Sequence, residues 1–242
     1  ADSAGAIITG TKQDESGNLK GAFDNSLDTS DPTVNTTFTI DSNNWTQKGD
    51  DIDGENVGDL NGYSVSLSSD GTIVAFGAIL NDDNGSNSGH VRVYEYSNSN
   101  NSWSQLGADI YGEADSDLNG YSVSLSSDGT IVAIGAIYND GNGNKSGHVT
   151  VYKYSNSNNS WSQLGDDIDG DAESDESGTS VSLSSDGTIV AIGSHKHDSS
   201  KGSVRIYEWT GSDWIQKGID IDGAAAGDES GFSVSLSSDG TI

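Results

Sequence analysis

Cysteine is missing from this chain, and with it every disulfide framework and every thiolate metal site. Proline occurs once, at Pro32. No apolar run approaches the roughly 18–20 residues that a membrane-spanning helix needs, so membrane insertion is not expected. Bases are scarce: 10 Lys and Arg stand against 38 Asp and Glu, for a formal charge of -28. That excess repels phosphate backbones and anionic lipid, which argues against nucleic acid and leaves cations, cationic surfaces and neutral glycans. Methionine is absent even at position 1, and the start Ala1-Asp2-Ser3-Ala4 suits a chain whose signal peptide has been cleaved. A boundary chosen inside a longer gene would look the same. The expected location is extracellular or at the cell surface.

Apolar residues make up only 31% of the chain, but 32 of its 242 residues are glycines outside that count. Together they approach the share of about 45–50% usual for globular chains, so the mean hydropathy of -0.53 does not imply disorder. One unit recurs almost unchanged: GYSVSLSSDGTIVAFGA from Gly62, GYSVSLSSDGTIVAIGA from Gly120, GTSVSLSSDGTIVAIGS from Gly178 and GFSVSLSSDGTI from Gly231. The offsets are 58, 58 and 53 residues, and Trp45, Trp103, Trp161 and Trp214 keep the same step. A period near 50 is that of propeller blades.

Each unit predicts four strands. SVSLS alternates, with Val65 and Leu67 on one face. Asp70-Gly71 is a hairpin signal. TIVAFGA is apolar on both faces, as a strand with sheet above and below must be. HVRVYEY and the segment around Trp103 complete the set, and no window carries a helical period. The third unit is shorter only where loops are expected: Gly193 to Gly202 spans 9 positions where Gly77 to Gly89 spans 12. The fold class is therefore all-β, a β-propeller of four-stranded antiparallel blades, three complete and one shared or truncated.

The run Tyr63-Ser64-Val65, the turn, IVAFGA and then the G-x-V-x-V-Y pattern from Gly89 resemble the FG-GAP repeats of integrin α-subunit propellers and their bacterial relatives. The resemblance covers about residues 34–242 and implies an extracellular propeller used in adhesion or recognition. One departure matters. Such blades often carry a Ca²⁺ loop, D-x-[DN]-x-[DN]-G-x-x-D, where this chain has only SSDGT, too few oxygens for Ca²⁺.

The expected organisation is a leader or anchoring strand at residues 1–33, then blades at about 62–112, 120–170 and 178–223. The partial blade 231–242 is expected to pair with 34–54, within the chain or across subunits. Phe38 and Ile40 superpose on Tyr207 and Trp209 when the chain is aligned on tryptophan, which motivates that pairing.

Acids recur in register between blades: Asp51, Asp53 and Asp59; Asp109, Asp115 and Asp117; Asp167, Asp169 and Asp175; Asp220, Asp222 and Asp228. The Asp three residues before each repeat glycine (Asp59, Asp117, Asp175, Asp228) is expected to fix a turn by accepting backbone N–H groups. Ca²⁺ ligation by this set is the alternative, and calcium is the one cofactor candidate. His195 and His197 are expected in a surface loop, with a shared metal as the alternative, and the repeat-equivalent His90 and His148 read as structural. No Ser/His/Asp constellation stands out, so no catalytic residue is assigned and the chain is not expected to be an enzyme. The expected function is a recognition or structural module for adhesion, display or assembly, with a protein or glycan partner. The alternatives are a lectin-like propeller, a filament subunit joined by shared blades, and a propeller hydrolase or lyase.

Overall fold

Every second residue of the SVSLS run is serine, and the structure shows what the alternation does. It is a computed structural model that describes residues 46–242, so the expectations for residues 1–33 and for a half-blade at 34–45 lie outside the described residues. Each repeat forms one antiparallel sheet. The first contains β1 (Asn61–Leu67), β2 (Ile73–Ala78), β3 (His90–Ser97) and β4 (Ser102–Gln105) in that order, with β5 (Ile110–Tyr111) also paired to β3. The second contains β6 (Asn119–Leu125), β7 (Ile131–Ala136), β8 (His148–Ser155), β9 (Ser160–Gln163) and β10 (Ile168–Asp169). The third contains β11 (Ser180–Leu183), β12 (Ile189–Ser194), β13 (Ser203–Trp209), β14 (Trp214–Gln216) and β15 (Ile221–Asp222).

The short fifth strands were not foreseen. They are the far ends of broken outer strands: β4 pairs with Tyr94 to Ser97, and β5 pairs with His90 and Val91 of the same β3. Leu106 continues the ladder by donating its N–H to Val93 O at 2.8 Å, after which Gly107 turns at φ 69° and breaks it.

Side chains at alternate positions of each sheet pack against opposite neighbours. Val123, Leu125, Val132 and Ile134 of the second sheet pack on Ala75, Val91, Val93 and Ile110 of the first. Ile131, Ala133, Val149 and Val151 face the other way, onto Val181, Leu183, Val190 and Ile192 of the third. The serines face the following blade and stitch it. Ser64 Oγ donates to Gly120 O at 2.7 Å, Ser122 Oγ to Gly178 O at 2.7 Å and Ser180 Oγ to Gly231 O at 2.8 Å. Ser66 and Ser124 hydroxyls accept the backbone N–H of Leu125 and Leu183 at 2.9 and 3.0 Å. The outer strands are tied by the tryptophans: the Trp161 indole N–H donates to Leu106 O at 2.8 Å, and that of Trp214 to Leu164 O at 2.9 Å. The tryptophan period is therefore an inter-blade hydrogen bond repeated at each junction.

Glycine is required where the blades come closest. A Cβ on Gly135 would lie 2.2 Å from Gly178 O, and one on Gly193 would lie 1.9 Å from Gly231 O. These paired glycines let two backbones touch beside the serine bonds.

Residues 231–242 run along the third sheet without forming a strand. Leu236 N–H donates to Ser182 Oγ at 3.0 Å, repeating the stitch of the earlier blades, but the segment has no ladder partner among the described residues. One helical turn, α1 (His197–Ser200), departs from the expectation of no helix; positive φ at Asp198 and Ser199 marks it as the tight bend of the shortened loop.

Candidate functional site

The SSDGT turns close each first hairpin. Asp70 Oδ1 accepts from Ser68 Oγ, Thr72 N and Thr72 Oγ1 at 2.8, 2.9 and 2.8 Å, and the pattern recurs at Asp128, Asp186 and Asp239. The Thr72 backbone N–H, followed by the Thr72 and Ser68 hydroxyls, holds the Asp70 carboxyl below the usual carboxylate range. Ser184 and then Thr188 do the same for Asp186.

Of the aspartates three residues before each repeat glycine, Asp59, Asp117 and Asp175 are buried and Asp228 is exposed. Asp117 is 2% exposed and Asp175 3%. Their Oδ2 atoms accept the backbone N–H of Ala114 and Ala172, each at 3.0 Å, while Asp59 accepts from Asn56 at 3.3 Å and Asp228 from Ala225 at 2.8 Å. A second donor arrives from the loop after the second strand: Asn81 Nδ2 on Asp59 at 3.0 Å and Asn139 Nδ2 on Asp117 at 3.2 Å.

His197 occupies the repeat-equivalent place of Asn81 and Asn139, and its Nδ1 lies 2.9 Å from Asp175 Oδ2. Burial lowers the His197 pKa, but the Asp175 hydrogen bond and charge outweigh it and raise the net value. His195 stands where Ile79 and Ile137 are buried in the earlier blades, so it is not the surface residue that its loop context suggests. It lies 2.7 Å from Thr179 Oγ1 and packs edge-on against Phe232, and burial holds its pKa down. The two histidines thus engage different partners.

The loops between second and third strands and the inter-blade linkers share one side of the sheets and bond to each other. Asn84 Nδ2 donates to Gly112 O at 2.7 Å, Asn142 Nδ2 to Gly170 O at 2.8 Å, and Ser116 N to Ser86 O at 2.7 Å. Asp82, Asp83, Glu113, Asp115, Asp140 and Glu173 stand exposed on this side. At its third blade, a groove runs between linker residues 172–176 and the bend at 196–200.

The other registered acids sit beside this surface. Asp51 and Asp53 are exposed, as are Asp115 and Asp222, and Lys201 reaches Asp222 at 3.5 Å. Asp109, Asp167 and Asp220 lie in the break of each outer strand, where a glutamine four residues earlier binds one oxygen: Gln105, Gln163 and Gln216 at 2.5, 2.6 and 2.6 Å. The remaining oxygens of Asp109 and Asp167 lie 3.7 and 3.8 Å from His90 Nδ1 and His148 Nδ1. Both histidines are buried at the start of a third strand; Glu113 from the linker completes a cluster with His148 and Asp167, while Glu55 groups with His90 and Asp83. Burial keeps the His90 pKa low, and Glu113 is pushed above the ordinary carboxylate range by burial and then by the charge of Asp167. Sequence reasoning missed Glu55 and Glu113 and took the histidines as structural. The available signal was that glutamate, histidine and aspartate recur together at the 58-residue offset.

A model of the FG-GAP repeat matches residues 112–152, the span from the linker through β8. No curated protein matches the chain. Among solved structures, the chain is similar to Sqt1 of Saccharomyces cerevisiae at 16% identity and a TM-score of 0.41, covering 69% of this chain and 36% of that one. Hydrazine synthase of Kuenenia stuttgartiensis is similar at 14% identity and a TM-score of 0.46, covering 73% and 53%. TolB from Acinetobacter baumannii is similar at 19% and 0.34, covering 63% and 31%. The chain thus spans about a third to a half of the length of these structures. The sheets described above have the four-stranded antiparallel order of β-propeller blades, and the match to the FG-GAP repeat falls on the second of them.

Proposed function

We propose that the chain is a non-catalytic recognition module, exported to the cell exterior, that binds a protein partner through its acidic loop-and-linker side. The observation that carries this reading is the bonding of loop to linker at successive blades, which makes a firm surface of segments that would otherwise move separately. Exposed carboxylates on a preorganised surface favour a partner carrying lysine and arginine, and they act mainly on encounter rate and specificity. Each aspartate three residues ahead of a repeat glycine accepts the backbone N–H three residues before its own, in every repeat, which favours a turn-forming role over general acid or base work.

The test measures retention and product formation together. The chain is immobilised and exposed to basic proteins and to a polysaccharide panel, with and without the substitutions Asp82→Asn, Asp83→Asn and Asp140→Asn. The expected result is salt-sensitive retention of basic proteins that falls with these substitutions, and no product from any polysaccharide. Hydrolysis or elimination products from a polysaccharide would overturn the non-catalytic reading. Glycan retention that survives high salt would replace the protein partner with a lectin role.

A further inference from the structure

The same place in the three blades holds three different answers to one electrostatic problem. In the third blade Asp171 comes from the linker and is ion-paired to the guanidinium of the buried Arg205, while Ser203 stands at the start of the third strand. In the first blade the equivalent residues are Glu55, Arg92 and His90, and Arg92 Nη1 lies 3.6 Å from Glu55. In the second blade the linker acid is Glu113 and the strand begins with His148, but the arginine position is Thr150. Among the described residues, Glu113 has no lysine or arginine partner. The carboxylates remain and the built-in cation is gone.

What replaces it is a set of metal-ligand atoms. Glu113, His148 and Asp167 each bring one ligand atom, and the three atoms lie within 4.8 Å of one another. His148 Nδ1 has no hydrogen-bond partner although its side chain is only 3% exposed, and it faces Asp167 Oδ2 at 3.8 Å. That is too long for a hydrogen bond. It is close to the roughly 3.4 Å that separates two ligands placed about 2.1 Å from one tetrahedral ion. Gln163 holds the other Asp167 oxygen and so fixes the direction of the free one, as outer-shell partners of metal ligands do.

We infer that Glu113, His148 and Asp167 form a binding site for a divalent transition-metal ion of the Zn²⁺ class at the junction of the first and second blades. Imidazole with two carboxylates suits that class, whereas Ca²⁺ takes oxygen ligands. The ion does in the second blade what Arg205 does in the third. The related cluster of Glu55, Asp83 and His90 in the first blade is the weaker site, because the Arg92 charge repels an incoming cation.

Co²⁺ titration of the whole chain, followed by visible absorption and then displaced with Zn²⁺, tests this. One strong site is expected, unaffected by excess Ca²⁺, with the ring protons of His148 showing larger paramagnetic shifts than those of His90. His148→Ser installs the residue that the third blade carries at Ser203, and should weaken binding by more than about 100-fold. Thr150→Arg supplies the guanidinium in the manner of Arg205 and should abolish strong binding while the fold survives. A wild-type chain that takes up no Co²⁺, shifts confined to other histidines, or a Thr150→Arg chain that binds as the wild type does would each overturn the inference.

Discussion

Asp186 shows how a residue can repeat for local reasons alone. Its carboxylate takes the Ser184 and Thr188 hydroxyls and the Thr188 backbone N–H, which holds its pKa down in the folded chain. The contribution to stability is therefore fully present above the unfolded carboxylate value near 3.9, and is lost as pH falls through the lower folded value. Asp186→Asn should cost less than about 1 kcal/mol at neutral pH, since the turn is largely solvated. It should also flatten the loss of stability below about pH 4, measured by urea denaturation across that range. An unchanged acid limb would mean that the turn does not feel this carboxylate. The aspartates at 59, 117, 175 and 228 were legible as turn formers from their repeat, but the donor was not: each accepts the N–H three residues earlier, not the one two residues on that an Asx turn uses. Glu113 was not legible, since its partners lie 35 and 54 residues further along the chain, and only the fold brings them together.

At the scale of elements, the strands of each blade were legible because period 2 and a 58-residue repeat reinforce one another. The break of the outer strand was hidden: β5, β10 and β15 have two residues each, and two residues carry no periodicity. His195 and His197 misled for a related reason. They look like a pair in sequence, yet one has taken the place of a core isoleucine and the other that of a turn asparagine. The glycine of the second strand is the sharpest element-level requirement. Gly135→Ala would drive a methyl group into the Gly178 carbonyl, backbone against backbone, with no flexible side chain to yield. The expected cost is at least about 3 kcal/mol, read by chemical denaturation. A cost under 1 kcal/mol would show that the blades can move apart there.

Across the whole molecule, one interface is used repeatedly. The leucine that ends each first strand meets the preceding blade: Leu125 is 7% exposed and Leu183 8%. Leu67 has the same sequence neighbours but, among the described residues, no blade in front of it, and it is 58% exposed. Val65, two residues earlier on the same strand face, is equally exposed, and this front has the chemistry of a surface made to receive another blade. Among the described residues, three chemically identical leucines thus differ in whether a blade covers them, and nearest-neighbour stacking is how repeat arrays gain stability. The most direct measurement of this account is the denaturation free energy of Leu67→Ala, Leu125→Ala and Leu183→Ala, each made singly in the full chain. Leu125→Ala and Leu183→Ala should each cost about 2–5 kcal/mol. Leu67→Ala should stay within about 0.5 kcal/mol of the parent chain. Equal costs at all three positions would contradict the account.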